Sequence, residues 1–115
     1  MMELPAVAKL CYENVRCFAK VFGDHGYSSW DELSEDKRND LILDVRSIIN
    51  DPNITASELH DTWVRRMVDR GWTYGPVKDS VAMTRPDICA YEFKSPIHQQ
   101  ELRLIICVVR IATSC

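Results

Sequence analysis

Apolar residues along this chain recur at intervals of three and four, and no useful length of it alternates with period two, which predicts helices and no substantial sheet. Pro5 suits the first turn of a helix in which Val7, Leu10, Cys11, Phe18, Val21 and Phe22 approximate one stripe, with Gly23-Asp24-His25-Gly26 as its end. Ser28-Ser29-Trp30-Asp31-Glu32-Leu33 reads as a short capped turn. Ser34, followed by Glu35 and Asp36, opens a second helix with acids at its positive end. Leu41, Val45, Ile48 and Ile49 give that helix its buried face, and it stops before Pro52, which disfavours helical geometry at Asp51.

Thr55-Ala56-Ser57-Glu58 is a capping box, so a third helix starts at Ala56. It runs through Leu59, Trp63, Met67 and Val68 to Gly71, which is placed for a left-handed cap. An irregular stretch containing Pro86 follows, in which Ile88 to Phe93 reads as extended, and Ser95-Pro96 begins the last helix. Leu102, Leu104, Ile105, Ile106, Val108, Val109 and Ile111 cover almost every side of that helix, so it is either central or an interface. The expected fold is all-α, a small four-helix domain of two helix pairs, with an aromatic Gly/Pro loop and an irregular segment before the last helix.

Length sets one domain over residues 1–115, with no internal repeat. Hydrophobic content of 46% against 27% charged residues is globular. The longest apolar run, Leu104 to Val109, is too short to cross a bilayer, and the N-terminus lacks a signal peptide's basic-then-apolar order, so a cytoplasmic protein without membrane contact is expected. The five cysteines are widely spaced and form no C-x-x-C pair. They read as reduced thiols, with Cys11, Cys17 and Cys107 as small hydrophobes in helical patterns and no metal site.

Charge is uneven. Residues 24–61 carry ten acidic and three basic side chains, whereas residues 62–85 carry five basic and two acidic ones, within a net charge of −3. A basic island on an acidic protein disfavours nucleic acid, which needs many phosphate contacts, and suits a small anionic ligand.

That island surrounds Gly71-Trp72-Thr73-Tyr74-Gly75-Pro76-Val77-Lys78-Asp79, a stiff loop with two large aromatics. Trp72 and Tyr74 alternate around Thr73 and so face one side of an extended loop. His60 and Trp63 are neighbours on one helical surface, whereas Asp61 points elsewhere and is a poor orienting partner for His60. There is no H-E-x-x-H, G-x-S-x-G, P-loop or dinucleotide fingerprint, and no cofactor is expected. At helical spacing with Leu59 and Met67, Trp63 is equally a core residue or a stacking platform. Base stacking on such a ring is worth ~1–3 kcal/mol, and Lys78, Arg66 and Arg85 are candidates for phosphate charge.

Glu58-Leu59-His60-Asp61-Thr62-Trp63, followed at the right separation by Gly71 to Asp79, resembles the H-[E/D]-x-W and G-W-x-Y-G-P-[V]-[K/R]-[D] signatures of the ryanodine-receptor repeat, or RyR domain. The resemblance spans residues 6–111, with weaker support at Cys11 to Arg16, Ser29 to Leu33 and Pro52 to Thr55. It departs at Thr84 to Tyr91, where the family's T-H-P-C-L-V-P-Y has Arg85 in place of histidine, and at Phe93 to His98 before the last helix.

The resemblance implies a helical module without a pore, of the single-copy bacterial or phage type. It implies binding of a nucleotide or nucleotide-derived second messenger: an adenine nucleotide, an ADP-ribose derivative or a cyclic nucleotide. Trp63 and His60 are its nominated contacts, with Trp72, Tyr74 and Lys78 as walls of the same region. Sequestration in a bacterial or phage conflict system is the implied role, and homodimerisation would mimic the family's paired repeats. Arg66 joins on charge, and Arg85 on charge and on its departure from the family's pattern. The alternative is a protein-interaction or structural module in which the aromatic loop is a packed plug.

Overall fold

A computed structural model of the chain describes residues 2–114. The fold is all-α. Four helices carry it among the described residues: α1 (Leu4–Val21), α2 (Glu35–Asn50), α3 (Ala56–Asp69) and α4 (Pro96–Ala112). Short 3-10 turns lie at Trp30–Glu32 and Tyr91–Phe93, and a two-residue parallel pair joins β1 (Thr73–Tyr74) to β2 (Thr84–Arg85). No helix among the described residues is long and apolar enough to cross a membrane.

The helix starts follow from their caps. Ser34 Oγ accepts the Lys37 N–H at 3.3 Å, and Ser95 Oγ accepts the His98 N–H at 3.3 Å ahead of Pro96. At α3 the reciprocal box is complete: Thr55 Oγ1 accepts the Glu58 N–H at 3.1 Å, and Glu58 Oε1 accepts the Thr55 N–H at 3.0 Å.

Of the two positions open to α4, the structure shows the central one, packed against α1, α2 and α3. Val7, Ala8 and Cys11 of α1 meet Val45 and Ile48 of α2, Leu59 of α3, and Ile106 and Val109 of α4 in one core, with Trp30 and Ile54 at its margin. On α1 the buried stripe is Val7, Ala8, Cys11, Val15 and Ala19, so the expected stripe is wrong at Leu10, Val21 and Phe22, which are exposed. The alanines explain the shift, since small side chains let a neighbouring helix approach closely and leave the larger residues outside. Ile49, Val68, Cys17 and Cys107, also expected inside, are exposed. The stretch from Ile88 to Phe93 is not extended throughout but closes in the turn at Tyr91–Phe93.

What positions the candidate site is the segment after α3. Gly71, at φ +96°, ends the helix by donating its N–H to the Val68 carbonyl at 2.9 Å while Trp72 N–H reaches the Met67 carbonyl at 3.1 Å. The chain then lies alongside residues 83–85, with Thr73 N–H donating to the Met83 carbonyl at 2.9 Å and Gly75 N–H to the Arg85 carbonyl at 3.2 Å. Gly75 is buried against Thr84, whose Cβ would lie 2.5 Å from any Cβ added there. Farther along, Asp79 Oδ1 accepts the Val81 and Ala82 N–H groups at 2.9 and 3.1 Å, closing the loop that bears Lys78. These bonds hold β2, and therefore Arg85, beside the helix bearing Trp63.

Candidate functional site

Four of the expected residues form one stack. The His60 and Trp63 rings lie 5.8 Å apart at 22°, as their spacing on α3 predicts. The Arg85 guanidinium sits 5.1 Å from the centre of Trp63 and 5.4 Å from that of Trp72, so a single cation bridges two indoles. His60 is almost fully buried and shares a 2.7 Å hydrogen bond between Nε2 and the Cys89 carbonyl, in which the neutral ring donates. Burial lowers its pKa and favours that neutral form. His60 thereby ties α3 to the irregular segment and backs Trp63.

Trp63 is neither wholly core nor wholly exposed. It is a shared wall of two adjoining hollows of about 240 and 360 Å³, which also share Val15, Tyr27, Asp44 and Ile105. The larger lies within the ~300–1,000 Å³ typical of small-ligand pockets. His60, Glu101, Lys94 and His98 line the smaller hollow, and Tyr12, Lys37 and Arg85 line the larger.

Four carboxylates line this cleft, Asp40, Asp44, Asp87 and Glu101, and two of them, Asp44 and Glu101, are buried. Asp44 of α2 receives Arg66 Nη2 at 2.7 Å on Oδ1, and Glu101 of α4 receives the Tyr27 hydroxyl at 3.0 Å on Oε2. Burial pushes the Asp44 carboxyl up to about 6 against the pull of Arg66, and burial likewise raises Glu101.

Positive charge lines both hollows, Lys94 beside Glu101 in the smaller and Lys37 and Arg85 beside Asp40 and Asp44 in the larger. Lys78 lies close enough to Arg85, and to Lys37, for their charges to lower its pKa, Arg85 having the largest effect. Arg85 has one carboxylate near it, Asp87 at 3.5 Å, and its Nε is sealed from solvent without a hydrogen-bond partner. The wall thus carries an aromatic face, buried acceptors and a cationic rim. Such an arrangement can clasp a flat ring with an anionic tail.

Trp72, the outer member of the stack, and the remaining expected residues differ in what they face. Trp72 is half-buried and touches Arg85 but borders neither hollow, and Tyr74 is 62% exposed, so the two do not share an environment. Arg66 turns to α2, where it binds the Asp40 carbonyl at 3.0 Å, Asp40 Oδ1 at 3.2 Å and Asp44 Oδ1 at 2.7 Å. Arg70 joins it on Asp40 at 2.9 Å. Much of the basic island therefore neutralises the acidic segment; Arg85 lines the cleft, whereas Lys78 lies near Arg85 without bordering either hollow.

Sequence reasoning missed Asp44, Glu101, Tyr27, Lys37, Lys94 and His98. Two had a visible signature: Asp44 falls between Leu41 and Ile48 on the apolar face of α2, and Glu101 shares its face of α4 with Ile105 and Val108. No protein-family model matches the chain, and no curated protein does.

Proposed function

We propose that this chain is a non-catalytic, RyR-like binding module that captures a nucleotide or nucleotide-derived second messenger, such as an adenine nucleotide, an ADP-ribose derivative or a cyclic nucleotide. The observation that supports this most is Trp63, an indole shared by two hollows, with Lys37 and Arg85 lining the larger one and Lys78 close enough to both to feel their charge. A base stacked on Trp63 would lead its phosphates toward those cations, where Arg85 offers a planar fork and the lysines mobile point charges. The Nε2 of His60 is committed to a backbone carbonyl, which favours a positioning role over proton transfer. Sequestration of the ligand in a bacterial or phage conflict system is the role this binding would serve.

Thermal-shift and calorimetric titration with AMP, ADP, ADP-ribose and cyclic AMP tests the reading. A true ligand at one hundred times its Kd stabilises by about 2.7 kcal/mol. Trp63→Ala, with loss of ~1–3 kcal/mol of stacking, should weaken binding about 5- to 150-fold while helicity is kept. Absence of a shift for every nucleotide at millimolar concentration rejects the reading.

A second reading, a docking module for another protein or a second copy, is favoured by a separate observation. Leu10, Cys17, Phe18 and Val21 of α1 and Leu104 of α4 line an apolar hollow, and Leu10, Val21, Phe22 and Ile111 are exposed.

A further inference from the structure

A base that stacks on Trp63 meets an occupant already there. The Arg85 guanidinium lies over that ring, 5.1 Å from its centre, and 5.4 Å from the centre of Trp72. A flat cation at this range is held by the negative potential of an indole face, and a stacked base needs such a face for itself. The other neighbour of Trp63, His60, lies near-parallel to it at 22° and is fixed by burial and by its 2.7 Å bond to the Cys89 carbonyl. Arg85 is the neighbour that can move. Its Nε has no hydrogen-bond partner, and its one ion pair, to Asp87, is long at 3.5 Å. Arg66, by contrast, is anchored by contacts of 2.7, 3.0 and 3.2 Å. Arg85 also lines the larger hollow of about 360 Å³, so the guanidinium has space into which it can swing.

We infer that Arg85 is a gate on the Trp63 face that an anionic group opens, so that the site selects phosphorylated nucleosides over the bare nucleoside. This rests on the nucleotide reading above and adds its specificity. A neutral nucleoside must displace the guanidinium and gives it no new partner. A phosphate accepts two parallel N–H bonds from that guanidinium, which turns the displaced side chain into a ligand of the tail. Discrimination therefore has two parts, the attraction of the phosphate and a displacement cost that only the phosphate offsets.

The experiment measures AMP and adenosine by calorimetry on the intact wild type, Arg85→Ala and Arg85→Gln. Wild type should bind AMP about tenfold tighter than adenosine or more. Removing the guanidinium should weaken AMP yet tighten adenosine, by about 2- to 30-fold, the range of one cation–π contact. The tightening is diagnostic, because truncating a residue that only binds phosphate leaves the affinity for adenosine unchanged. Unchanged or weaker adenosine binding in both variants overturns the inference while leaving nucleotide binding intact. So does equal affinity of wild type for the two ligands, since nothing then depends on the anion. A measurement on wild type alone needs no variant to fold: the ring currents of the indoles displace the Arg85 side-chain proton resonances, and saturating AMP should return them toward ordinary arginine values. Resonances that stay displaced with AMP bound overturn the gate. Absence of binding by both ligands removes this inference together with the adenine-nucleotide part of the reading above.

Discussion

Asp44 occupies a position on α2 where the helix's own pattern calls for an aliphatic side chain, three residues after Leu41 and four before Ile48. Its carboxyl is pushed up to about 6 by burial, with Arg66 pulling the other way. Each tenfold change in proton affinity is worth about 1.4 kcal/mol, so ionising this group inside the fold costs on the order of 3 kcal/mol relative to the unfolded chain. Because the folded pKa lies above the unfolded value of 3.8, the folded protein binds the extra proton, and this group's contribution to stability falls as pH rises from about 4 through 6. Glu101, also raised by burial, works in the same direction. His60 opposes both, because its lowered pKa makes stability grow as pH rises toward the ordinary histidine value of 6.5. Asp44→Asn isolates one of the three: the stability difference between variant and wild type, from urea melts at intervals between pH 4 and 7, should widen in the variant's favour across that window. A difference that does not vary with pH would mean that Arg66 holds Asp44 ionised throughout.

At the level of elements, the turn from α3 into β1 depends on its glycines more than on its aromatics. Gly75→Ala would place a methyl 2.5 Å from Thr84 Cβ, an atom attached directly to the backbone and unable to swing aside. Overpacking of this kind costs typically ~1–3 kcal/mol, and here the strain would separate β1 from β2 and shift Arg85 away from Trp63. Gly75→Ala should therefore lower the melting temperature and also raise protease cleavage within residues 72–85 ahead of global unfolding. A variant with wild-type cleavage would show that the loop absorbs the methyl without moving. These elements were legible to different degrees for physical reasons. Caps are local, so Ser34, the Thr55–Glu58 box, Gly71 and Ser95 marked their helix ends correctly. The stack of His60 on Trp63 was legible because a three-residue separation on a helix fixes it. The wedge of Arg85 between two indoles was not, since it depends on a parallel pairing of two residues with two others, too short to leave a periodic trace. Arg66 was legible as a cation but not as a partner of Asp40 and Asp44, because its contacts lie more than twenty positions away in sequence.

For the whole molecule, α1 divides two surfaces. Tyr12 and Val15 border the cleft, whereas Leu10, Asn14, Cys17 and Val21 border the outer apolar hollow. At about 100° per residue these two sets lie roughly half a turn apart around the helix, so the core stands between the cleft and the outer face. Leu104 and Ile111, seven residues apart on α4, extend that face. A ligand in the cleft and a second copy on the outer face would therefore not compete, and the two readings of function can be separated by one substitution. Val21 is 80% exposed, so Val21→Glu should change stability by less than about 0.5 kcal/mol. It should leave the nucleotide-induced rise in melting temperature intact, because no atom of the cleft is altered. Sedimentation equilibrium should show wild-type mass rising above 13.3 kDa with concentration, and Val21→Glu holding at that value. A wild type that stays at one chain's mass at every concentration removes self-association through this face. Weaker nucleotide binding in Val21→Glu would instead show that the two sides of α1 are coupled through the core, and it would make the second copy part of the ligand site.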